Sequence, residues 1–179
     1  MNRMFLSTVV LIACCGPRRE EVTNTMSTAT AARTDVTVTS PAFVNEGEIP
    51  KRYACDGEAL SPPLSLSVAP AGSKSLALIM TDPDAPGGLF THWVVWNIPI
   101  GTTSIAEGQV PSGSEGKNDF GRTGYGAPCP PSGSHRYIFD VYALDSTLEL
   151  APDSGRKDVE KAMRGHLLAK GQILGTYRK

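Results

Sequence analysis

The stretch Gly126-Ala-Pro-Cys-Pro-Pro-Ser-Gly-Ser-His-Arg-Tyr-Ile-Phe-Asp-Val-Tyr-Ala-Leu-Asp145 changes character halfway along its length. Its first half, through Ser134, holds three prolines and two glycines, which predicts a rigid loop because proline cannot donate to a sheet. From Arg136 onward the side chains alternate as in a strand with at least one buried face. His135 and Tyr137 lie at the start of this strand, on the same face. A rigid loop that delivers polar groups to the end of a buried strand is typical of a binding site.

Two further segments are predicted as neighbouring core strands. Residues 75–81 are apolar on both faces, and residues 91–98 are strongly apolar as well. Between them, the sequence Asp-Pro-Asp-Ala-Pro at 82–86 ends the first strand and fixes two carboxylates beside its end. The two strands are therefore expected to bring together Asp82, Asp84 and His92.

The remaining segments predict short strands, one long loop and one helix. Strands are expected at 36–40, 51–55, 64–68 and 172–177, and a loop from 101 to 126, whose length is usual for a functional segment. A helix is expected from 156 to 170, with Asp153 or Ser154 as its cap and Gly171 at its end. The face packed on the sheet would carry Val159, Met163, His166 and Leu167.

Composition restricts the class of protein. A chain of 179 residues with 40% hydrophobic side chains suits one globular domain with a tail. A net charge of -1 argues against a nucleic-acid-binding protein, because such proteins usually carry a basic surface. The 18 glycines and 14 prolines favour strands and loops over helices, so the expected fold class is mainly β.

The first 34 residues predict export. Arg3 precedes an apolar run at 4–13 that ends at Cys14 and Cys15, the layout of a signal peptide. The segment Leu11-Ile12-Ala13-Cys14 resembles a bacterial lipobox, so we expect a signal peptide at 1–13 and lipid on Cys14. Residues 14–34 are then predicted to form a disordered tether, and residues 35–179 are predicted to form the domain. The chain is accordingly expected to be a lipoprotein anchored in the cell envelope.

Several motifs resemble one known family. They are Thr81-Asp-Pro-Asp-Ala-Pro86, His92-Trp-Val-Val-Trp-Asn-Ile98 and Pro130-Pro131 with Gly133-Ser-His-Arg-Tyr137. In this order they resemble the phosphatidylethanolamine-binding protein family, in particular its bacterial branch similar to Raf kinase inhibitor (YbhB/YbcL type). The segment Lys117-Asn-Asp-Phe-Gly121 is also similar to that branch.

The resemblance implies antiparallel β-sheets in a sandwich with few peripheral helices, and a small anion pocket open to solvent. It implies a binding protein and no enzyme, without cofactor or metal, for a phosphate-like anion or phospholipid head group. Family members are also linked to inhibition of protein partners, and no partner can be named from this sequence. The implied pocket residues are Asp82, Asp84, Pro86, His92, Pro130, Pro131, His135 and Tyr137.

Two other interpretations of the same residues stay open. Four residues are of types that commonly bind a divalent metal ion, as in a metal-dependent hydrolase: Asp82, Asp84, His92 and His135. Taken singly, Asp82 is as well explained by a turn and His92 by a hydrogen-bonded core position.

We also expect Cys55 and Cys129 to form a disulfide, because export reaches an oxidising compartment and they are the two cysteines of the domain.

Overall fold

The structure is a computed structural model that describes residues 35–179. The predictions of a signal peptide, of lipid on Cys14 and of a tether therefore lie outside the described residues. Within the described part, no helix is long and apolar enough to cross a membrane. The strands are β1 Val38–Thr39, β2 Leu64–Leu66, β3 Ser75–Asp82, β4 Phe90–Ile98, β5 Ser104–Ile105, β6 Ser114–Glu115, β7 Ser134–Leu144 and β8 Leu167–Arg178. A 3-10 turn spans Lys51–Tyr53 and helix α1 spans Arg156–Ala162.

The strands form two antiparallel sheets. The larger sheet has the order β6-β4-β3-β7-β8 and the smaller one the order β1-β2-β5. Strand β3 lies at the centre of the larger sheet, and all eight of its residues are buried, as expected for a strand covered on both faces. The predicted fold class, antiparallel sheets with few helices, is confirmed.

The core lies on both faces of the larger sheet. On one face, alternate residues of β3 and β7, such as Leu78 and Phe139, pack with Leu64 and Leu66 of the smaller sheet. On the other face, residues such as Ile79 and Trp96 pack beneath α1 through Val159. The alternation of side chains along each strand thus fills two separate apolar layers.

The predicted helix is wrong in its second half. Helix α1 ends at Ala162, and Gly165 then adopts φ +83°, a conformation that suits glycine and ends a helix. The chain continues as β8 from Leu167, which pairs with Leu144. Pairing along β7 therefore overrides the helical spacing of the apolar residues. Gly155 precedes the helix instead of Asp153 or Ser154.

This correction changes the role of two residues, His166 from the predicted helix face and Gly171 from the predicted helix end. His166 is exposed, and its Nδ1 lies 2.8 Å from Oδ1 of Asp145. Gly171 lies within β8, where an added Cβ would collide with the carbonyl oxygen of Val36. The glycine is thus needed for close packing and does not end a helix.

Three shorter segments also differ from prediction. Residues 51–55 form the 3-10 turn at Lys51–Tyr53 and no strand, because the amides of Tyr53 and Ala54 bond back within the turn. The predicted loop at 101–126 contains β5 and β6. The strand expected at 36–40 covers only Val38–Thr39.

The outer edge of β8 is covered by the chain segment at 45–49. The amides of Glu46 and Ile49 donate to the carbonyls of Leu174 and Thr176, both at 2.7 Å. The amide of Thr176 donates in turn to the carbonyl of Gly47 at 2.8 Å. This half of the edge therefore has its backbone groups paired within the chain.

Candidate functional site

The candidate site lies where three strands of the larger sheet meet. Strand β3 ends at Asp82, and its antiparallel neighbours β4 and β7 begin beside it, at Phe90 and Ser134. The structure brings together Asp82 and His92, which lie on the two neighbouring core strands, and His135, which the family resemblance places in the same pocket.

A β-bulge turns His92 into this site. Met80 pairs with Trp93, whereas the next residue, Thr81, pairs with Thr91. His92 is therefore the extra residue on β4, and a bulge changes the direction of a side chain. Regular alternation would place His92 with Val94, on the layer beneath α1. Its ring instead packs edge-on against Tyr137, with ring centroids 5.2 Å apart.

The ring of His92 is held by Gly126. Nδ1 of His92 lies 2.6 Å from the carbonyl oxygen of Gly126, and the amide of Gly126 donates to the carbonyl of His92 at 2.8 Å. Because a carbonyl only accepts, Nδ1 carries the proton and Nε2 of the neutral ring is an acceptor. His92 is 3% exposed, and this burial lowers the pKa of its imidazole below the ordinary value.

Asp82 and His135 form the second fixed pair. Oδ2 of Asp82 lies 2.8 Å from Nδ1 of His135, and both side chains are buried. The other carboxylate oxygen of Asp82 accepts the amide of Asp84 at 2.8 Å. One carboxylate thus orients the imidazole and shapes the turn that follows β3. No residue within 35–179 hydrogen-bonds Nε2 of His92 or of His135.

Asp84 supports the site from outside the cavity. Its carboxylate accepts three hydrogen bonds from Arg136, from the backbone amide and Nε at 2.9 Å and from Nη2 at 2.7 Å. The guanidinium of Arg136 lowers the pKa of Asp84 to about 2. The pair ties the turn after β3 to the start of β7, so Asp84 holds the wall without lining it.

The three strand ends open into a cavity of about 180 Å3. Its lining residues are Asp82, Ala85, Pro86, Phe90, His92, Phe120, Cys129, Pro131 and His135. Pro86, Phe120, Cys129 and Pro131 are exposed, so the cavity is open to solvent on that side. Five of the residues predicted from the sequence line it: Asp82, Pro86, His92, Pro131 and His135.

The other predicted residues lie behind the lining. Pro130 is buried next to Pro131, and Tyr137 is fully buried beneath the ring of His92. The hydroxyl of Tyr137 has no hydrogen-bond partner among the described residues. Burial raises the pKa of this phenol, which therefore keeps its proton at neutral pH.

Sequence reasoning missed Phe90 and Phe120 as lining residues. Phe90 and Phe120 pack edge-on with ring centroids 4.8 Å apart, and each also contacts the ring of His92, at 5.2 and 5.3 Å. Phe120 belongs to the segment 117–121, for which the sequence suggested a family resemblance and no role. Nothing in the spacing of that segment reveals that its aromatic ring reaches His92.

A disulfide forms part of the cavity wall. The structure joins Cys55 to Cys129, with Cα atoms 5.4 Å apart and a separation of 74 positions in the sequence. Beside it, the amide of Cys55 donates to the carbonyl of Pro128 at 3.0 Å. The loop 128–131 is therefore attached to the 3-10 turn by one covalent bond and one hydrogen bond.

Four other depressions among residues 35–179 are larger than this cavity, and none of the four is lined by a histidine. A larger depression of about 310 Å3 includes Arg156, but this guanidinium already donates to Thr91 at 3.1 Å and to Glu160 at 2.6 Å. Within residues 35–179, no group of three or more His, Cys, Asp or Glu side chains is placed to hold a metal ion. The hydrolase interpretation therefore lacks a ligand set in this part of the chain.

Comparison with known proteins agrees with the motifs. Residues 39–178 match the family model described as phosphatidylethanolamine-binding protein. A UPF0098 protein of Methanothermobacter thermautotrophicus is 51% identical over 144 residues, which cover 77% of this chain and 95% of the relative. A UPF0098 protein of Aquifex aeolicus is 51% identical over 150 residues, covering 79% and 88% of the two chains.

Two solved structures are similar in fold. A phosphatidylethanolamine-binding protein homologue from Chlamydia trachomatis has a TM-score of 0.79 and 41% identity, with 81% of this chain and 98% of that chain covered. YbcL of E. coli has a TM-score of 0.75 and 31% identity, with 81% and 99% covered. From the family model, the relatives and these structures together, the chain belongs to the phosphatidylethanolamine-binding protein family.

Proposed function

We propose that this protein binds a phosphate-like anion, such as the head group of a phospholipid, between His92 and His135. The observation that carries the proposal is the pair of buried imidazoles at the strand ends. Each ring has its Nδ1 held, by Gly126 or by Asp82, at 2.6 and 2.8 Å. Each Nε2 is then the ring atom left for a ligand.

The chemistry of these rings suits an anion that brings or attracts protons. With its proton on Nδ1, a neutral imidazole presents an acceptor at Nε2, and phosphate oxygens are acceptors as well. A second proton on either ring turns Nε2 into a charged donor, which forms the stronger class of hydrogen bond. At His135, Nδ1 already lies 2.8 Å from the carboxylate of Asp82, so Nε2 is the ring atom that faces a ligand.

The size of the cavity supports a small ligand. Its volume of about 180 Å3 is below the roughly 300 Å3 at which sites for drug-sized ligands begin. A head group fits this space better than acyl chains do. The family is named for phosphatidylethanolamine binding, and the ammonium of such a head group would find a carboxylate partner in Asp82.

We propose binding without turnover. The carboxylates that a hydrolytic mechanism would need are engaged, Asp82 with His135 and the amide of Asp84, and Asp84 with Arg136. We also propose, from the signal-like start and the lipobox, that lipid on Cys14 holds the domain at a membrane of the cell envelope.

Calorimetric titration with phosphoethanolamine tests the binding proposal. We expect His92→Ala and His135→Ala each to weaken binding by about 1.5 to 3 kcal/mol, the range for hydrogen bonds to charged groups. His166→Ala is the matched control, because the third histidine of the chain is exposed and pairs with Asp145. Unchanged affinity in both site variants would contradict the proposal.

A further inference from the structure

We propose that Phe120 makes the cavity selective for phosphate esters with a short organic substituent over free inorganic phosphate. This inference rests on the proposed function and adds to it a residue that determines selectivity at the same site. Its basis is a loop that holds an aromatic side chain against one of the two anion-binding histidines.

The loop from Lys117 to Gly124 is built around the buried side chain of Asn118, which is 3% exposed. The amide nitrogen of that side chain donates to the carbonyl of Gly124 at 2.9 Å. Its oxygen accepts the backbone amides of Phe120 at 3.0 Å and of Arg122 at 3.4 Å. The loop therefore has a fixed shape on both sides of Phe120.

A second set of bonds attaches this loop to the start of β4. The amide of Asp119 donates to the carbonyl of Thr91 at 3.0 Å, and a carboxylate oxygen of Asp119 accepts the amide of Thr91 at 2.6 Å. Thr91 immediately precedes His92. The position of Phe120 is thus fixed relative to the histidine that it contacts.

The ring of Phe120 occupies space that only a glycine leaves free. A Cβ at Gly126 would lie 2.5 Å from Cε2 of Phe120, so any other residue there would displace the ring. Phe120 is nevertheless 46% exposed. Because Phe120 lines the cavity and is held there by two loop anchors, its exposed part offers a ligand an apolar surface in a fixed position.

The distribution of polarity in the cavity indicates what that contact is. The charged or titratable lining residues are Asp82, His92 and His135. The other six are Ala85, Pro86, Phe90, Phe120, Cys129 and Pro131. Inorganic phosphate has no apolar surface to place against such a wall. The carbon atoms of an ester do, and each methylene removed from water strengthens binding by about fourfold.

Titration with inorganic phosphate and n-propyl phosphate tests the inference, since the two ligands carry similar charge and differ in the organic group. For the wild-type protein we expect the ester to bind at least tenfold more tightly. Phe120→Ser should reduce this preference to threefold or less. Phe120→Leu, which keeps an apolar side chain, should retain a preference above fivefold.

Leu89→Ser is the matched control, because Leu89 is 47% exposed and does not line the cavity. It should keep the wild-type preference. Equal affinity of the wild-type protein for the two ligands would overturn the inference and leave anion binding intact, as would an unchanged preference in Phe120→Ser. Binding of neither ligand to the wild-type protein would overturn the proposed function as well.

Discussion

His92 donates its Nδ1 proton to the carbonyl of Gly126, so its Nε2 has no proton to offer an anion until the ring takes up a second one. Burial lowers the pKa of this ring in the free protein, and a bound anion would raise it. Binding should therefore take up protons, and affinity should fall as the pH rises from about 5.5 to 8, on either side of the ordinary histidine value of about 6.5.

Sulfate is a suitable probe for this prediction because it does not titrate in that range. Calorimetry in two buffers with different ionisation enthalpies measures the number of protons taken up on binding. We expect net uptake for the wild-type protein and a smaller value for His92→Gln. An affinity for sulfate that is the same at both ends of the range would contradict the prediction.

The pair of Asp84 and Arg136 has its own pH dependence. The guanidinium lowers the pKa of Asp84 to about 2, so its stabilising effect is complete above the ordinary carboxyl value and is lost as the pH falls through 2. Arg136→Gln should lower the free energy of unfolding at pH 7 by a small amount, since both side chains are partly exposed and solvent screens the pair.

Urea unfolding of the wild-type protein and of Arg136→Gln at pH 7 and near pH 2 measures this effect. The difference between the two proteins should become smaller at the lower pH. A difference of the same size at both pH values would assign the effect to packing of the arginine stem and not to the charge of Asp84.

At the scale of elements, the disulfide links the 3-10 turn to the loop that carries Pro130 and Pro131. Closing a loop across 74 residues stabilises a protein by up to about 4 kcal/mol through restriction of the unfolded chain. We expect Cys55→Ser with Cys129→Ser to lower the melting temperature. It should also weaken anion binding, because the wall beside Cys129 loses its covalent anchor.

Alkylation of the purified, oxidised protein followed by intact mass measurement tests the disulfide itself. No label should attach to Cys55 or Cys129 before reduction, and one should attach to each afterwards. Labelling of both thiols without reduction would contradict the pairing.

The elements also explain what the sequence allowed us to predict. Strands β3, β4 and β7 are continuous apolar or alternating runs bounded by proline and glycine, so each is visible locally. The extension of β8 back to Leu167 is not visible in the local sequence, because it depends on pairing with Leu144 in β7. Residues 156–170 satisfy a helical pattern, and only the tertiary partner shows that the second half is a strand.

The site divides in the same way. The meeting of Asp82 and His92 was predicted from the ends of neighbouring strands, whereas His135 was placed in the same pocket by the family resemblance. The bulge at His92 depends on a register shift between β3 and β4. The position of Phe120 at the cavity depends on the hydrogen bonds of the Asn118 side chain. Neither feature produces a periodic pattern or a residue spacing that can be recognised in the sequence.

For the whole molecule, the proposed anchor gives a direct test. Cys14→Ser should remove the lipid and move the protein from the membrane fraction to the soluble fraction, since the domain at 35–179 contains no helix able to span a membrane. Arg3 and the apolar run remain in this variant, so export itself is still possible. A variant that fractionates and migrates like the wild-type protein would contradict the proposal.

The segment at 45–49 covers part of the outer edge of β8. Strand β8 is twelve residues long, and an open edge of that length is a template on which a second chain can add a strand and begin to aggregate. Here Glu46, Gly47 and Ile49 already occupy the backbone groups of Leu174 and Thr176. The segment therefore covers this half of the edge, and we expect a variant that lacks it to expose these backbone groups to strand addition by a second chain.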